Sequence, residues 1–275
     1  MPPADRGAQF GPEYLWNFRR GEQENPRFWA RFGQRPVLAG ATVLDVGSGW
    51  GSLCVDMARA GVRRVVGLDL KPDLVDFANA HVREAYPDLV GRVSFHAVDL
   101  QVYAEPLAFD LIVSKDSFEH IIDLDGMLAA MRARLKPGGR IYAGFGPLYP
   151  TPYGDHDRRG TIFRHWGAFG RLQAHIPWGH LFLERLMVTT YNRRHQPPIT
   201  SLRDLGLSMR ALSDYRRAFQ ASGLALVDFQ TNQAASLQSR LFTTLRRGLP
   251  FLEDYLTHNI YCILENRAGA AASSA

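Results

Sequence analysis

The stretch that most constrains this 275-residue chain runs from Thr42 to Tyr142, where short β-rich runs alternate with segments of helical period. Near-continuous apolar runs separated by amphipathic segments describe parallel strands joined by crossover helices. The expected strands are TVLDVG (42–47), RVVGLDL (64–70), RVSFHAVDL (92–100), FDLIVS (109–114) and RIYAGF (140–145), with helices at about 51–60, 72–85 and 123–134. The third helix is the clearest: Leu124, Met127, Leu128, Met131 and Leu135 share one face, Asp123 can cap the start, and Pro137-Gly138-Gly139 ends it.

After Phe145 this rhythm breaks. From Gly146 to about Leu212 the chain is rich in proline, glycine and aromatics and carries His156, His165, His175, His180 and His195. A structureless loop of that length would be unusual, so a partly helical insert over the sheet is expected. Regular patterning then returns, with a helix from Ser213 to Ser222, a strand LALVDFQ (224–230) and a last strand NIYCILEN (259–266), which together complete a seven-stranded α/β sheet. Ahead of the sheet, Phe10, Tyr14, Trp16, Phe18, Phe28, Trp29 and Phe32 mark a helical extension that packs on the domain as a lid. The expected organisation is therefore an extension at 1–41, a main domain at 42–267 with an acceptor-binding insert at 146–212, and a loose tail, AGAAASSA, at 268–275.

Composition narrows the function classes. A hydrophobic content of 46% supplies a buried core, and the apolar runs are too short and interrupted to span a membrane. The start MPPADRGAQF lacks the order of a signal peptide, so a soluble, cytoplasmic protein without a membrane partner is expected. Cys54 and Cys262 sit far apart in buried-looking segments, which reads as reduced core thiols. The net charge of +5 and pI near 9.4 would suit an anionic partner, but the arginines are scattered, with pairs such as Arg193-Arg194 and Arg246-Arg247 at most, and no nucleic-acid partner is expected.

The sharpest chemical motif is VLDVGSGWG (43–51), a strand ending in a glycine-rich turn that opens a helix. Glycines at alternate positions let a ligand approach the backbone at the carboxyl end of the strand, where open α/β sheets bind their ligands. Nicotinamide and flavin domains share such a turn, so three aspartates decide the ligand. Asp45, just before the glycines, would repel a pyrophosphate but suits an ammonium group, directly or through water. Asp69, ending the second strand, is placed to accept hydrogen bonds from ribose hydroxyls. Asp99, ending the third, puts a polar group where an adenine amine could be read. Each alone could be a helix cap or turn former; three at successive strand ends are hard to explain that way.

Together these residues resemble the class I S-adenosylmethionine (SAM)-dependent methyltransferases. The resemblance runs from Thr42 to about Phe145 and matches, in order, VLDVGSGWG, GLDL, AVDL, FDLIVSKDSFEHI and LKPGGR. It implies a Rossmann-like, seven-stranded, mostly parallel sheet flanked by helices, with one antiparallel strand near its edge and SAM as cofactor across the first strand ends. Carried over residue by residue, Asp45, Gly47 and Gly49 would hold the methionine part, with Ser48, Trp50 and Gly51 in the same turn. Asp69 and Leu70 would hold the ribose and Asp99 with Leu100 the adenine, while Ser114 and Lys115 would line the cleft. Lys115 departs from the smaller or apolar residues of many relatives, and Asp116 or Glu119 is expected to neutralise it. A surface ion pair is the competing explanation.

Methyl transfer from a sulfonium is an in-line displacement, so alignment and exclusion of water dominate, and a hydroxyl acceptor also needs a base. Histidine suits neutral pH, and the candidates are His120 in SFEHI, His156 in YPTPYGDHD and His180 in HIPWGHL. Tyr149, Tyr153 and Trp178 are the expected acceptor contacts. A backbone-bonded or surface role is the alternative for each histidine. The spacings of His156, His165, His175 and His180 do not match zinc ligands, so no metal is expected from them. The function expected is methylation of a small molecule, at oxygen first, with an oligomeric state the sequence leaves open. Competing readings are nitrogen or carbon methylation, a nucleic-acid or protein methyltransferase, a non-catalytic SAM-binding protein and a nicotinamide oxidoreductase.

Overall fold

The structure, a computed structural model, describes residues 10–105, 108–232 and 237–267; the start of the N-terminal extension and the tail at 268–275 lie outside them. Seven strands form one sheet: β1 (Thr42–Val46), β2 (Arg64–Asp69), β3 (Val93–Ala97), β4 (Phe109–Lys115), β5 (Leu135–Phe145), β6 (Ala225–Thr231) and β7 (Ile260–Glu265). Their order is β3-β2-β1-β4-β5-β7-β6. The first five are parallel and β7 runs antiparallel to both β5 and β6. The strands of the centre are apolar on both faces because helices cover both. Val43 packs into one core with Val65, Val113 and Ile263, and Leu44 into the other with Ile112, Ile141 and Leu264.

The crossover helices α2 (Ser52–Arg59), α3 (Pro72–Ala85) and α4 (Leu124–Arg134) fall where the hydrophobic period places them. Asp123 caps α4 by accepting from the Gly126 amide at 3.0 Å. One boundary differs from expectation. β5 begins at Leu135, directly after α4, and takes in the Pro-Gly-Gly turn through an irregularity opposite Phe109–Leu111. Pro137 and Gly138 are exposed at the sheet's rim while Gly139 is buried and Leu135 already pairs with Phe109, so strand pairing extends past the apparent stop signal.

Strand order reverses between β1 and β4, so chains leave these two neighbours toward opposite faces and open a crevice at their carboxyl ends. Over that crevice lies α1 (Pro12–Trp29). Its Phe18, Phe28 and Trp29 are buried, and the following Phe32 meets Tyr142 edge-on at 5.2 Å. Gly21 sets how close α1 comes: a Cβ there would lie 2.2 Å from Ser52 Oγ on α2. The extension is thus packed onto the sheet domain, and its exposed side roofs the crevice.

The insert forms α5 (Arg158–Phe163), α6 (Gly167–Ala174) and α7 (Gly179–Asn192), with Ile162, Phe163, Met187, Leu202 and Leu207 as its own small core. Arg159 organises it. Only 1% exposed, it grips Asp155 through Nε (3.0 Å) and Nη2 (3.2 Å) while Nη1 donates to the carbonyls of Gln173, in the last turn of α6, and Ile176, just beyond it. After the insert, α8 (Leu212–Ala221) matches the expected helix, and α9 (Leu237–Gly248), between β6 and β7, was not anticipated. Its register of Leu237, Leu241 and Leu245 is helical, but these side chains are exposed, so no core pattern marked it. Among the described residues no helix is long and apolar enough to cross a membrane.

Because Arg159 and Asp155 are both buried, removing one charge strands the other. Arg159→Ala is expected to lower unfolding free energy by about 3–5 kcal/mol, measured by urea denaturation. A loss below about 1 kcal/mol would show that the pair does not organise the insert.

Candidate active site

β1 carries Asp45 to the crevice, and the chain then turns back because the amides of Gly47 and Ser48 donate to the Leu68 carbonyl at 2.8 and 2.9 Å. Gly47 has φ +82° and a Cβ there would sit 2.0 Å from Ser117 Oγ, so a side chain is excluded twice over. Gly49, at φ +52°, has nothing within 4 Å of where its Cβ would be, which leaves open space for a ligand to lie against the backbone. Asp45 is 1% exposed; its Oδ2 accepts from the Cys54 thiol at 3.2 Å, and its Oδ1 is buried with no hydrogen-bond partner in the protein. Burial pushes its carboxyl up to about 7, opposed by the Cys54 thiol and by Lys115. A half-satisfied buried carboxylate fits an incoming ammonium group.

Asp69 accepts from the Gly49 amide at 2.8 Å through Oδ2 and from the Lys71 amide at 3.0 Å through Oδ1. These bonds orient it, and each oxygen keeps acceptor capacity for a ribose hydroxyl. Asp99 is held by the Gln101 amide at 2.8 Å. Leu70, 70% exposed, offers an apolar wall between them. Asp45, Gly47, Ser48, Gly49, Trp50, Asp69, Leu70, Asp99, Leu100 and Lys115 all line one cleft of about 1010 Å³. That is at the upper end for a single small-molecule site, which leaves room for cofactor and acceptor together.

Two expected cofactor residues serve the frame instead of lining this cleft. Ser114 is buried and donates to the Val46 carbonyl at 2.9 Å, tying β4 to β1. Gly51, at φ +85°, makes the turn into α2 beneath Phe95. Burial raises the carboxyl of Asp116, and Lys115 acts on it in the opposite direction, lowering it by a smaller amount. The Lys115 Nζ also reaches Asn25 Oδ1 at 3.2 Å and Glu24 Oε2 at 3.9 Å, both on the roofing helix α1. Nothing local in the sequence joins positions 24 and 115; the long contact exists only once α1 is docked.

The same cleft is lined by Ser117, His120, Arg158 and Gly206. Asp116, at φ +53°, turns the chain after β4 so that a short 3₁₀ turn, Phe118–His120, points back at the cleft. His156 comes from the loop after β5, itself at φ +50°, and its ring meets the His120 ring edge-on at 4.9 Å. Glu119, 4% exposed, accepts from the Gly146 amide at 3.2 Å through Oε1. Burial, reinforced by Asp116, pushes its carboxyl up to about 8. Burial lowers both histidines, His156 to about 4 with His120 adding to the effect, so both rings are neutral at physiological pH.

The remaining candidates lie elsewhere. His180 is fully buried inside the insert, its Nε2 donating to the Tyr149 carbonyl at 2.6 Å and its Nδ1 3.7 Å from Asp155. Tyr149 bonds Glu184 at 3.2 Å, and Trp178 starts α7 and packs near Phe242. Neither these nor Tyr153 lines the cleft. In their place the structure brings in Arg158, Lys71 and Gly206, which no motif marked.

A switch-point crevice, a glycine turn with an unsatisfied carboxylate beneath it, and two more carboxylates at and just beyond the next strand ends are the architecture of the Rossmann-like methyltransferase fold. Residues 43–139 match the family model described as a methyltransferase domain, and SAM is its cofactor. The chain is similar to the ubiquinone biosynthesis O-methyltransferase of Xanthomonas euvesicatoria, 38% identical over 108 residues, which are 39% of this chain and 44% of that protein. It thus spans less than half the length of the curated relatives it matches. The fold is similar to the SAM-dependent methyltransferase of Mesorhizobium loti, with a TM-score of 0.54 and 19% identity over 88% of this chain and 97% of that one. It is also similar to phosphoethanolamine N-methyltransferase 2 of Haemonchus contortus in complex with SAM, with a TM-score of 0.53 and 17% identity over 88% and 52% of the two chains.

Asp69→Ala is expected to weaken SAM binding by about 1–3 kcal/mol, the cost of ribose hydroxyls left without their acceptor; unchanged affinity by calorimetry would remove Asp69 from the site. Asp45 supplies a pH dependence. Its carboxyl is raised to about 7 in the free protein, whereas a bound ammonium favours the carboxylate. Affinity is therefore full above about 7 and falls as pH drops, by up to about tenfold per pH unit, and Asp45→Asn should flatten the slope. Calorimetric titrations across this range check both, and a flat wild-type profile refutes the carboxylate's role.

Proposed function

We propose that this protein transfers the methyl group of SAM to an oxygen atom of a small-molecule acceptor. The observation that carries the reading is the meeting of His120, which lines the cleft from the turn after β4, with His156 from the insert. An oxygen acceptor must lose its proton as the methyl arrives, and this pair sets imidazoles, bases suited to neutral pH, beside the cofactor cleft. The curated relatives named as O-methyltransferases support the choice of oxygen over the shared 108 residues. The cradle of Asp45, Asp69 and Asp99 would fix the sulfonium donor. α1 would exclude water, with Glu24 holding Lys115 away from the positive sulfur.

Incubating the full chain with isotope-labelled SAM and a cell extract, then reading labelled products by mass, tests the reading. A labelled methyl ether supports it. SAM binding without any labelled product would sink it in favour of a non-catalytic SAM-binding protein, and a labelled amine or carbon skeleton would move the acceptor atom. His120→Ala is expected to lower turnover by about a hundredfold or more with SAM affinity nearly unchanged. Full turnover would return His120 to a structural role.

A further inference from the structure

We propose that Glu119, His120 and His156 form a binding site for a divalent transition-metal cation, zinc by ligand type, at the acceptor end of the cleft. One donor atom from each residue lies within 4.8 Å of the other two. The histidine protons are fixed on the outer sides: His120 Nδ1–H donates to the Gly206 carbonyl at 2.7 Å, and His156 Nε2–H donates to the Pro147 carbonyl at 2.9 Å. A neutral imidazole has one N–H, so His120 Nε2 and His156 Nδ1 remain as lone pairs. Orientation of a ring by a carbonyl at its outer nitrogen is how proteins prepare imidazoles for a metal.

Glu119 supplies the independent observation. Its Oε1 is held by the Gly146 amide, while Oε2 is buried and has no hydrogen-bond partner in the protein. An acceptor oxygen hidden from water, on a residue that the fold groups with two imidazoles, is costly unless a proton or a cation meets it. Two imidazoles and one carboxylate form the ligand set of catalytic zinc sites that keep a position open, and it also suits iron(II) or manganese(II). Asp116 adds negative charge beside Glu119, whereas Arg158 and Lys71 add positive charge near His120. The left-handed backbone at His156, φ +50°, costs about 1–3 kcal/mol for a residue other than glycine, and it brings this ring to the cluster.

The catalytic use of the cation rests on the proposed oxygen methylation. Its open position takes the acceptor hydroxyl, whose pKa falls beside the positive charge. The proton leaves to solvent, the oxygen lone pair forms the bond to the methyl carbon, and the carbon–sulfur bond breaks with its electron pair going to sulfur. A methyl ether and S-adenosylhomocysteine result, and the metal keeps its oxidation state.

The test uses the full chain, stripped with a chelator and titrated with Co²⁺, whose visible absorption reports coordination, and with Zn²⁺ by competition. One equivalent of Co²⁺ is expected to bind, displaced by Zn²⁺, with affinity lowered by more than about tenfold in Glu119→Gln and in His156→Ala. His165→Ala, in an exposed histidine of the insert, should bind like the parent. Calorimetric SAM binding verifies that each variant is folded. Failure of the unaltered chain to take up one equivalent, or uptake unaffected by both ligand variants, overturns the site. Labelled methyl ether formed equally well after chelation overturns the cation's part while leaving oxygen methylation standing; stoichiometric Co²⁺ binding with no methylated product does the reverse.

Discussion

A carboxylate that is buried but only half satisfied governs the architecture of the cofactor half. Asp45 lies in a central strand whose Val43 and Leu44 are fully buried, and it faces the cleft. Leaving it charged there has a cost that a proton or a cation can offset, and SAM carries one positive charge at its ammonium and another at its sulfur. The glycine turn serves the same end. With the Leu68 carbonyl holding the turn and Gly49 left bare, the ligand reaches the carboxylate past backbone alone.

The cleft is completed by parts that come from far along the chain. α1 contributes a roof and the Glu24 carboxylate that engages Lys115; the insert contributes Arg158; the 3₁₀ turn after β4 contributes His120, against whose ring His156 packs. Each depends on separate packing. Gly21 lets α1 approach α2, and the Arg159–Asp155 pair fixes the start of α5 immediately after His156. The insert is therefore both a covering layer and a source of chemistry, and its internal ion pair lies close in sequence to a residue that meets the cofactor domain.

The sheet was legible from sequence because the central strands β1, β2 and β4 are apolar on both faces, the edge strand β3 alternates buried Val93 and Phe95 with Ser94 and His96, and every crossover helix has one apolar face, so period and burial agree. Asp45, Asp69 and Asp99 were legible for a related reason: a carboxylate ending an apolar strand is conspicuous. The insert was less so. His180 and Trp178 share a histidine-aromatic context with His156, yet His180 is enclosed by Tyr149 and Asp155 while His156 turns outward through a left-handed residue. Local composition cannot separate the two, since the difference lies in one backbone dihedral and in position, His180 lying inside α7 and His156 ahead of α5. Lys115–Glu24 and the meeting of Glu119 with His156 are contacts between elements packed independently on the sheet, and no local pattern encodes them. α9 escaped notice because its leucines face outward.

The charges that line the cleft bear on the proposed reaction. Asp45, Asp69 and Asp99 gather carboxylates near the glycine turn, and toward His120 the basic Lys71 and Arg158 are joined by the acidic Asp116 and Glu119. The carboxylates would favour a sulfonium donor. In the proposed methylation at oxygen, positive charge would leave sulfur and negative charge oxygen, so both charges would fade together in the transition state. Water would stabilise the separated charges more than their partial neutralisation and would slow the step; a roof such as α1 would remove that penalty. In the proposed reaction the lid and the carboxylate cradle would thus serve one end, holding the donor in place without solvent.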